Sequence, residues 1–505
     1  MDFLIYVPLL LFSLLLCLLL YLLFMPKTNH PRYPPGPRPL PLIGNIHNIN
    51  GSLQHHAMRD LSRQYGPLML LHLGPSPTIV VSSPDAAREI MKTHDVSFAS
   101  RPISTTVGIF TRGGKGINFT SYGEHWRQMR KICVLELLST RRVQSYRSIR
   151  EEEVDNLVKY VNSCASHCQH VNLSKRLIST MNDITTRSII GNKCKKQDMF
   201  LRELDATLKV VAGFDLTDLF PSSRLARLVS SGAKIAERSK QEIDRILDEV
   251  IVQHKERMIA TGESKEEDLL SILLRLHDEE TLENPLDMDK IRAVILDLFG
   301  AGSETSSTTL EWAMSELVRN PTTMQKAQSE VRRILKGRRT VSESDLNKLH
   351  YMHFVIKETL RLHPPAPLLL PRECCESCRI FDYDIPKGTR VFINAWAIGR
   401  DPKYWEDPEE FKPERFMNSS TDFKGNDFEF IPFGSGRRMC AGVSFGLASV
   451  ELVLANLLFH FDWKLGDGLK PEEIDMSESI GLTARRKTPL LLFAVPCETD
   501  MGING

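Results

Sequence analysis

The sequence predicts a mainly α-helical chain with a minor β region behind an N-terminal membrane helix. Residues 3–26 carry no charge, and they exceed the ~20 residues that cross a bilayer as a helix. Apolar side chains recur at helical spacing from Ile291 onward. Two short apolar runs, 68–73 and 78–82, flank a Gly-Pro turn and predict a pair of strands. Together these patterns define the predicted fold class.

The sequence predicts three parts: a membrane anchor, a hinge and a catalytic domain. Residues 1–26 predict a membrane anchor; the alternative is a cleaved signal peptide, whose apolar core is shorter, at about 7–15 residues. Lys27 and Arg32 follow the span, so the positive-inside rule places the rest of the chain in the cytosol. Six prolines between residues 31 and 41 preclude a helix. We therefore expect residues 27–45 to form a stiff hinge. We expect residues 46–505 to form a single catalytic domain, because no linker divides them.

Composition excludes several classes of protein. Lys and Arg total 64 against 63 Asp and Glu, a net charge of +1, so the chain has no electrostatic footprint for nucleic acid. Ten scattered cysteines in a long chain do not indicate a disulfide-stapled secreted scaffold. Cys374, Cys375 and Cys378 lie close together. They have no second cysteine pair to complete a zinc site, so we do not interpret them as a metal site.

One cysteine lies in a glycine-punctuated loop, residues 433–442, which leads into an apolar helical segment. A cysteine at the start of a helix has its thiolate stabilised by backbone N–H groups and the helix dipole. Glycines let the backbone pass flat against a planar cofactor, and Arg438 could reach a carboxylate on its rim. Zinc would require further cysteine or histidine ligands near Cys440, and the sequence has none at finger spacing.

Phe433, Gly436, Arg438, Cys440 and Gly442 match every fixed position of the haem-binding signature of the cytochrome P450 superfamily, and the chain resembles that family. The resemblance implies the cytochrome P450 fold, with haem b held between a distal and a proximal helix. It also implies that Cys440 is the axial thiolate ligand of the haem iron.

A second motif, residues 301–306, lies within the helix that begins near Ile291. Alone, a Gly with Ser and Thr in a helix would be a packing detail. The segment resembles the distal-helix motif of the same family, which delivers the protons that oxygen activation consumes. By this resemblance Glu304 is the catalytic acid, Thr305 is the catalytic alcohol, and Ala301 lies against the cofactor.

Further arginines extend the resemblance. Glu358 and Arg361 share a helix face at a spacing of three; a solvent-exposed ion pair is the alternative interpretation. With Arg415 they resemble the Glu-Arg-Arg triad that locks the haem-binding core of the family, and we expect a structural role. Four residues match positions that contact haem carboxylates in relatives: Trp126, Arg130, Arg372 and Arg438.

No dinucleotide-binding motif opens a helix after a strand, so the electrons must come from a partner. In relatives with this anchor the donor is membrane-bound NADPH-cytochrome P450 reductase. We expect Arg127, Lys131 and Arg437 to form a basic docking face for it. The expected location is the endoplasmic reticulum membrane, with one span and a cytosolic catalytic domain.

Several segments look like plant A-type microsomal monooxygenases: 34–37, 301–305 and 411–416. Segments 213–221 and 310–314 look most like the terpenoid hydroxylases. The expected pocket lining is mainly apolar, which suits a small lipophilic substrate and molecular oxygen; it comprises Ala301 and residues 105–117, 211–214, 366–370 and 480–482. The alternatives are an alkaloid or phenolic substrate, a reaction without molecular oxygen, and a non-catalytic haem-binding scaffold.

Overall fold

The computed structural model describes residues 31–51, 53–212, 214–261, 268–279, 282–466 and 468–497. The expected anchor lies outside the described residues and stays a prediction. The described part is mainly helical with short strands, which confirms the predicted fold class. Its α-helices are α1 (Ile46–Ile49), α2 (Gln54–Tyr65), α3 (Pro84–Arg88), α4 (Thr105–Phe110), α5 (Glu124–Ile132), α6 (Thr140–Ser145), α7 (Arg147–Ser166), α8 (Leu173–Ile190), α9 (Gln197–Val210), α10 (Leu216–Leu219), α11 (Arg224–Val229), α12 (Gly232–Thr261), α13 (Leu269–Asp278), α14 (Met288–Arg319), α15 (Pro321–Ile334), α16 (His350–Leu362), α17 (Ala395–Ile398) and α18 (Val443–His460).

The strands form one four-stranded and two smaller sheets within the described residues. They are β1 (Leu68–Leu73), β2 (Ser76–Val81), β3 (Val171–Asn172), β4 (Arg372–Glu373), β5 (Cys378–Ile380), β6 (Tyr383–Ile385), β7 (Arg390–Ile393), β8 (Phe461–Lys464) and β9 (Leu491–Pro496). The larger sheet has the order β1-β2-β7-β4, and only the β2–β7 pair is parallel. The predicted strand pair is confirmed. β2 starts two residues earlier than predicted because Ser76 pairs with Leu73 across the turn at Gly74.

The described part of the proline-rich segment packs on this sheet. Leu70 N donates to Pro35 O at 2.9 Å, and a side chain at Gly36 would lie 1.9 Å from Leu70 O. Asn45 Nδ2 donates to Pro37 O at 3.1 Å. Residues 35–45 therefore pack against the domain, and the hinge predicted over residues 27–45 stays a prediction.

The long helix α14 forms the centre of the molecule. It begins at Met288, three residues before the predicted start, because the Asp287 side chain caps it by accepting from Lys290 N at 2.7 Å. It packs mainly against α8 and α18. Near its C-terminal end Trp312 is fully buried, and its Nε1 donates to Ala484 O at 2.8 Å. The helix is thereby fixed to the C-terminal segment.

One predicted helix was wrong. The sequence predicts a continuous helix from about 344 to 362, whereas the structure has a 3-10 segment, Glu343–Lys348, followed by α16. Leu349 separates them with a non-helical backbone (φ −93°, ψ 66°). The Glu343 carboxylate accepts from Arg150 Nη2 at 2.9 Å. This contact with α7 holds the 3-10 segment apart from α16, so the two do not form one continuous helix.

Among the described residues, α18 alone is long and apolar enough to cross a membrane. However, 61% of its apolar window is buried inside the protein, and its side chains belong to the largest hydrophobic cluster together with those of α7, α14 and α16. We therefore interpret α18 as the core helix that leads away from the Cys440 loop.

Candidate active site

The loop that carries Cys440 is shaped by its own backbone. Cys440 N donates to Phe433 O at 2.9 Å, and Met439 N donates to Gly436 O at 3.0 Å. Gly436 has φ +68°, and a side chain there would lie 2.2 Å from Met91 O, so this position requires glycine. Helix α18 begins three residues after Cys440. The thiol therefore lies just outside the first helical turn.

The Cys440 thiol is accessible, yet enough protein surrounds it that burial raises its pKa. Gly442 N donates to Sγ at 3.3 Å, and this N–H group and the positive charge of Arg130 oppose the effect of burial. We interpret this combination of an exposed side chain and surrounding protein as the wall of a cleft. One backbone donor, Gly442 N–H, favours the Cys440 thiolate.

The middle of α14 passes beside the first turns of α18, the helix that follows Cys440. Ala301 is exposed and Thr305 is half-buried, whereas Ser303 and Glu304 between them are buried. The Thr305 hydroxyl donates to Ala301 O at 2.8 Å. Helix α18 passes close to this region, because a side chain at Gly446 would lie 3.5 Å from Ser306 Oγ. Ala301 and Thr305 thus lie on an accessible part of α14, next to the buried Ser303 and Glu304.

Glu304 points away from Thr305. Its carboxylate accepts from Thr483 Oγ1 at 2.7 Å and from the Arg485 guanidinium. Burial raises the pKa of Glu304, and Arg485 and then Thr483 oppose this shift. Arg485 Nη1 also lies 3.7 Å from Asp205 Oδ1 on α9. No described hydrogen bond joins Glu304 to Thr305. Neither partner of the acid, Thr483 or Arg485, was predicted from the sequence.

Three buried guanidinium groups lie close together, and one of them, Arg438, belongs to the Cys440 loop. Burial lowers the pKa of Arg438 to about 9 and that of Arg372 to about 10, and Arg372 lowers the value of Arg438 further. Arg101 is also buried, and Arg438 and Arg372 add to the lowering of its pKa. The nearest carboxylate to Arg372 is Asp95 Oδ1 at 3.6 Å. This cluster, Arg101, Arg372 and Arg438, holds more positive charge than its described carboxylate neighbours balance.

Arg101 was missed by the sequence analysis, since nothing in its local sequence separates it from a surface arginine. It donates to Leu370 O at 2.6 Å and to Asn118 O at 3.1 Å. The other expected carboxylate partners border the same loop. Trp126 Nε1 donates to Ile117 O at 3.2 Å, and Arg130 Nη2 donates to Met439 O at 2.7 Å.

These features fit a planar cofactor with a thiolate-bound metal and two carboxylates. The sulfur atom is accessible, the neighbouring helix α14 presents a small side chain at Ala301, and the arginine cluster can compensate two negative charges. The expected arginines and Trp126 lie around the Cys440 loop, together with Arg101. Haem b has this chemistry, and it supplies oxygen activation when a cysteine thiolate holds its iron.

The expected pocket segments also meet. Val107, Phe110, Ile117 and Val211 belong to one hydrophobic cluster, and Leu370 and Leu482 pack against it. Leu482 N donates to Leu208 O at 3.2 Å, which fixes the C-terminal segment to α9. Gly213 lies outside the described residues. The cluster gives an apolar surround to the accessible face of α14.

The structure brings Glu358 and Arg361 of α16 together with Arg415 of the 3-10 turn Pro413–Phe416. Arg361 donates to both Glu358 oxygens at 2.8 Å, and Arg415 Nε donates to Glu358 Oε1 at 2.9 Å. The first two side chains are fully buried. Arg361 Nη1 also donates to Gly399 O and Pro408 O. This buried, fully bonded pair differs from a solvent-exposed one.

Comparison with known proteins agrees with this geometry. The cytochrome P450 family model matches residues 34–493. Desmethyl-deoxy-podophyllotoxin synthase of Sinopodophyllum hexandrum is 50% identical over 95% of this chain and 96% of its own length. Two proteins of Zea mays, zealexin A1 synthase and dolabradiene monooxygenase, are 52% and 50% identical, each over 93% of both chains. A structure of a zebra fish cytochrome P450 with abiraterone superposes with a TM-score of 0.74 at 26% identity, covering 88% of this chain and 99% of that one. The chain therefore belongs to the cytochrome P450 family.

Proposed function

We propose that this protein is a monooxygenase that uses NADPH and molecular oxygen to hydroxylate a small plant terpenoid, a sesquiterpene or diterpene. The observations that carry the proposal are the accessible Cys440 sulfur and the accessible Ala301 and Thr305 on α14, which passes beside the start of α18. Arg101, Arg372 and Arg438 would hold the haem carboxylates, and Cys440 would hold its iron.

Zealexin A1 synthase and dolabradiene monooxygenase bear the names of terpenoid-oxidising enzymes, and this supports a terpenoid substrate. The apolar cluster around Phe110 and Val211 favours a hydrocarbon-like molecule over a glycoside or an acid. One relative, desmethyl-deoxy-podophyllotoxin synthase, is not named after a terpenoid. A phenolic substrate is therefore the second candidate.

The direct test supplies microsomes containing this protein and a plant reductase with NADPH and a panel of terpene hydrocarbons, terpene alcohols and phenolic compounds. We expect a product one oxygen atom heavier from a terpene, and none without NADPH. Turnover of phenolic compounds alone would replace the terpenoid proposal. No product from any compound, despite bound haem, would contradict the proposed substrate range.

The proton path is proposed to use Thr305 and Glu304. The Thr305 hydroxyl is available at the accessible face, since its present acceptor is only a backbone carbonyl, Ala301 O. Glu304 must exchange its bonds to Thr483 and Arg485 to move a proton toward the cleft. Its raised pKa makes it a better proton carrier near neutral pH than an ordinary carboxylate.

Replacing Thr305 with Ala should uncouple NADPH consumption from product formation, because the hydroxyl that hands on protons is lost. We expect product formation to fall by about 10²-fold, toward the lower end of general acid effects, while NADPH oxidation continues. Thr308→Ala is the control, because Thr308 makes the same type of bond, to Glu304 O, on the buried side of α14. Equal coupling in both variants would contradict the assignment.

Replacing Arg485 with Met should move the pH profile. Arg485 is the leading influence that lowers the pKa of Glu304 against burial, so its loss raises that pKa further. The pH at which Glu304 loses its proton then rises, and we expect the corresponding limb of the pH–rate profile to move to higher pH. An unchanged profile with normal haem content would exclude Glu304 as the relay acid.

We also propose that electrons come from a membrane-bound NADPH-cytochrome P450 reductase and that the protein lies on the endoplasmic reticulum membrane. Arg127 and Lys131 are exposed on α5, and the side chain of Arg437 is half exposed. All three are close in sequence or space to the Cys440 loop, and Arg437 and Arg127 both lie within 6.0 Å of the Tyr122 ring. This clustering supports one basic docking face.

Reversing the charge of Arg127, Lys131 and Arg437 to Glu should slow reductase-supported turnover and weaken its dependence on salt. Turnover driven by hydrogen peroxide should change little, because it needs no docking. Reversal of Lys159 and Lys255, which are exposed on α7 and α12, provides the control. Unchanged reductase kinetics in the triple variant would exclude this face.

A further inference from the structure

Two adjacent histidines and a glutamate meet outside the candidate haem site. His55 and His56 lie on α2, and Glu478 lies in the C-terminal segment after the 3-10 turn Pro471–Glu473. One ligand atom from each of the three residues lies within 4.8 Å of the other two. The three side chains thus converge from two distant parts of the sequence.

The hydrogen bonding of this cluster is incomplete. His55 Nε2 lies 2.7 Å from Glu478 Oε2, and both side chains are at least nine-tenths buried. His56 Nε2 is also buried but has no hydrogen-bond partner. Leaving a buried ring nitrogen unpaired costs roughly 1–3 kcal/mol, so such an atom points to a missing ligand.

The rings are held in place. His56 stacks on Trp396 at a centroid distance of 4.1 Å and an angle of 26°. The His55 ring meets Trp396 edge-on at 5.1 Å, and Asn394 Nδ2 donates to His55 O at 2.8 Å. Fixed rings of this kind preorganise a metal site, because little side-chain freedom remains to be lost on binding.

The surrounding charge permits a divalent cation. Arg59 and Arg400 lie nearby, but Glu409 pairs with both, and Asp60 pairs with Arg59 at 3.0 Å. The Glu478 charge is thus left to face the histidines. His56 Nε2, which has no hydrogen-bond partner, is free to bind the cation as the nitrogen of a neutral imidazole.

We infer that His55, His56 and Glu478 form a binding site for a divalent transition metal, and that Zn²⁺ matches its two imidazoles and one carboxylate. Zinc accepts this donor set at about 2.0–2.2 Å with a water as the fourth ligand. Magnesium and calcium prefer oxygen donors and fit poorly. The site is distinct from the haem cleft and does not depend on the proposed substrate.

The metal would join α2 to the C-terminal segment whose side chains bond to the Glu304 carboxylate. Glu478 precedes Thr483 and Arg485 by a few residues in the same C-terminal segment, and both contact the Glu304 carboxylate. Fixing Glu478 would therefore restrain that segment. We expect zinc to raise the thermal stability of the holoenzyme without changing its haem spectrum.

The test is equilibrium dialysis of the haem-loaded protein, purified without a histidine tag, against ZnCl₂, with metal content measured by mass spectrometry and unfolding followed by heat. Wild type should bind one zinc ion and melt at a higher temperature with it. His56→Gln should weaken that binding at least about tenfold and lose the thermal shift. His350→Gln, which removes an exposed histidine, should behave as wild type.

Glu478→Gln should show the same loss as His56→Gln, which separates this site from adventitious binding by surface histidines. If that variant fails to fold, His56→Gln carries the test, because its Nε2 makes no hydrogen bond. Absence of zinc in wild type, or full binding by His56→Gln, would overturn the inference. The reduced carbon monoxide spectrum, recorded for every variant, reports the haem site independently.

Discussion

Cys440→Ala is expected to abolish product formation, with no turnover above the background of empty microsomes. The sulfur atom is the accessible donor at the cleft wall, with a backbone donor from Gly442 beside it. Without a thiolate ligand the iron loses the electron donation that favours oxygen activation. Turnover and the reduced carbon monoxide spectrum measure this change, and the thiolate-type band should disappear with the activity.

The control for this variant is Cys168→Ala, which removes an exposed cysteine away from the cleft and should leave turnover and spectrum unchanged. Haem content should be measured in parallel, because the arginine cluster could retain the cofactor without an axial sulfur. Retained turnover in Cys440→Ala at equal haem content would exclude Cys440 as the ligand.

Arg361→Met is expected to lose most of the folded protein. The side chain is fully buried and bonded at all three of its nitrogen atoms, to the Glu358 carboxylate and to Gly399 O, Pro408 O and Glu410 O. Its removal leaves the Glu358 charge buried with Arg415 as its remaining ion-pair partner, at a cost of about 3–5 kcal/mol. Typical stability is only about 5–15 kcal/mol. Soluble yield and denaturant unfolding measure the loss.

Arg361→Lys should not restore stability, because an ammonium group cannot reproduce the paired bonds to Glu358. Arg147→Ala is the matched control. It breaks a partly exposed ion pair with Glu151 on α7, which contributes less than about 0.5 kcal/mol. If Arg361→Met unfolds at the same denaturant concentration as Arg147→Ala, the triad is not structural.

Features of the fold and the site could be predicted where they depend on residues only a few positions apart in the sequence. The Cys440 loop is recognisable because its glycines must fall at fixed positions around one sulfur. The start of α15 at Pro321 and the end of α16 before Pro364 follow from the backbone limits of proline. These features could be predicted because the cause and the effect lie within a few residues of each other.

The parts that were missed depend on contacts between distant segments. Arg101 resembles any surface arginine in sequence, and only the fold places it beside Arg372 and Arg438. Arg485 contacts Glu304 across 181 positions of the chain. The break between the 3-10 segment and α16 likewise follows from the contact of Glu343 with α7. Periodicity carries no information about such partners.

Isotope labelling tests monooxygenation most directly. Microsomes containing this protein and the reductase are incubated under ¹⁸O₂ in ordinary water with a terpene that they convert, and the product is analysed by mass spectrometry. We expect the product to contain one ¹⁸O atom and its formation to require NADPH. Product whose new oxygen comes from water, or that forms only from a hydroperoxide, would contradict it.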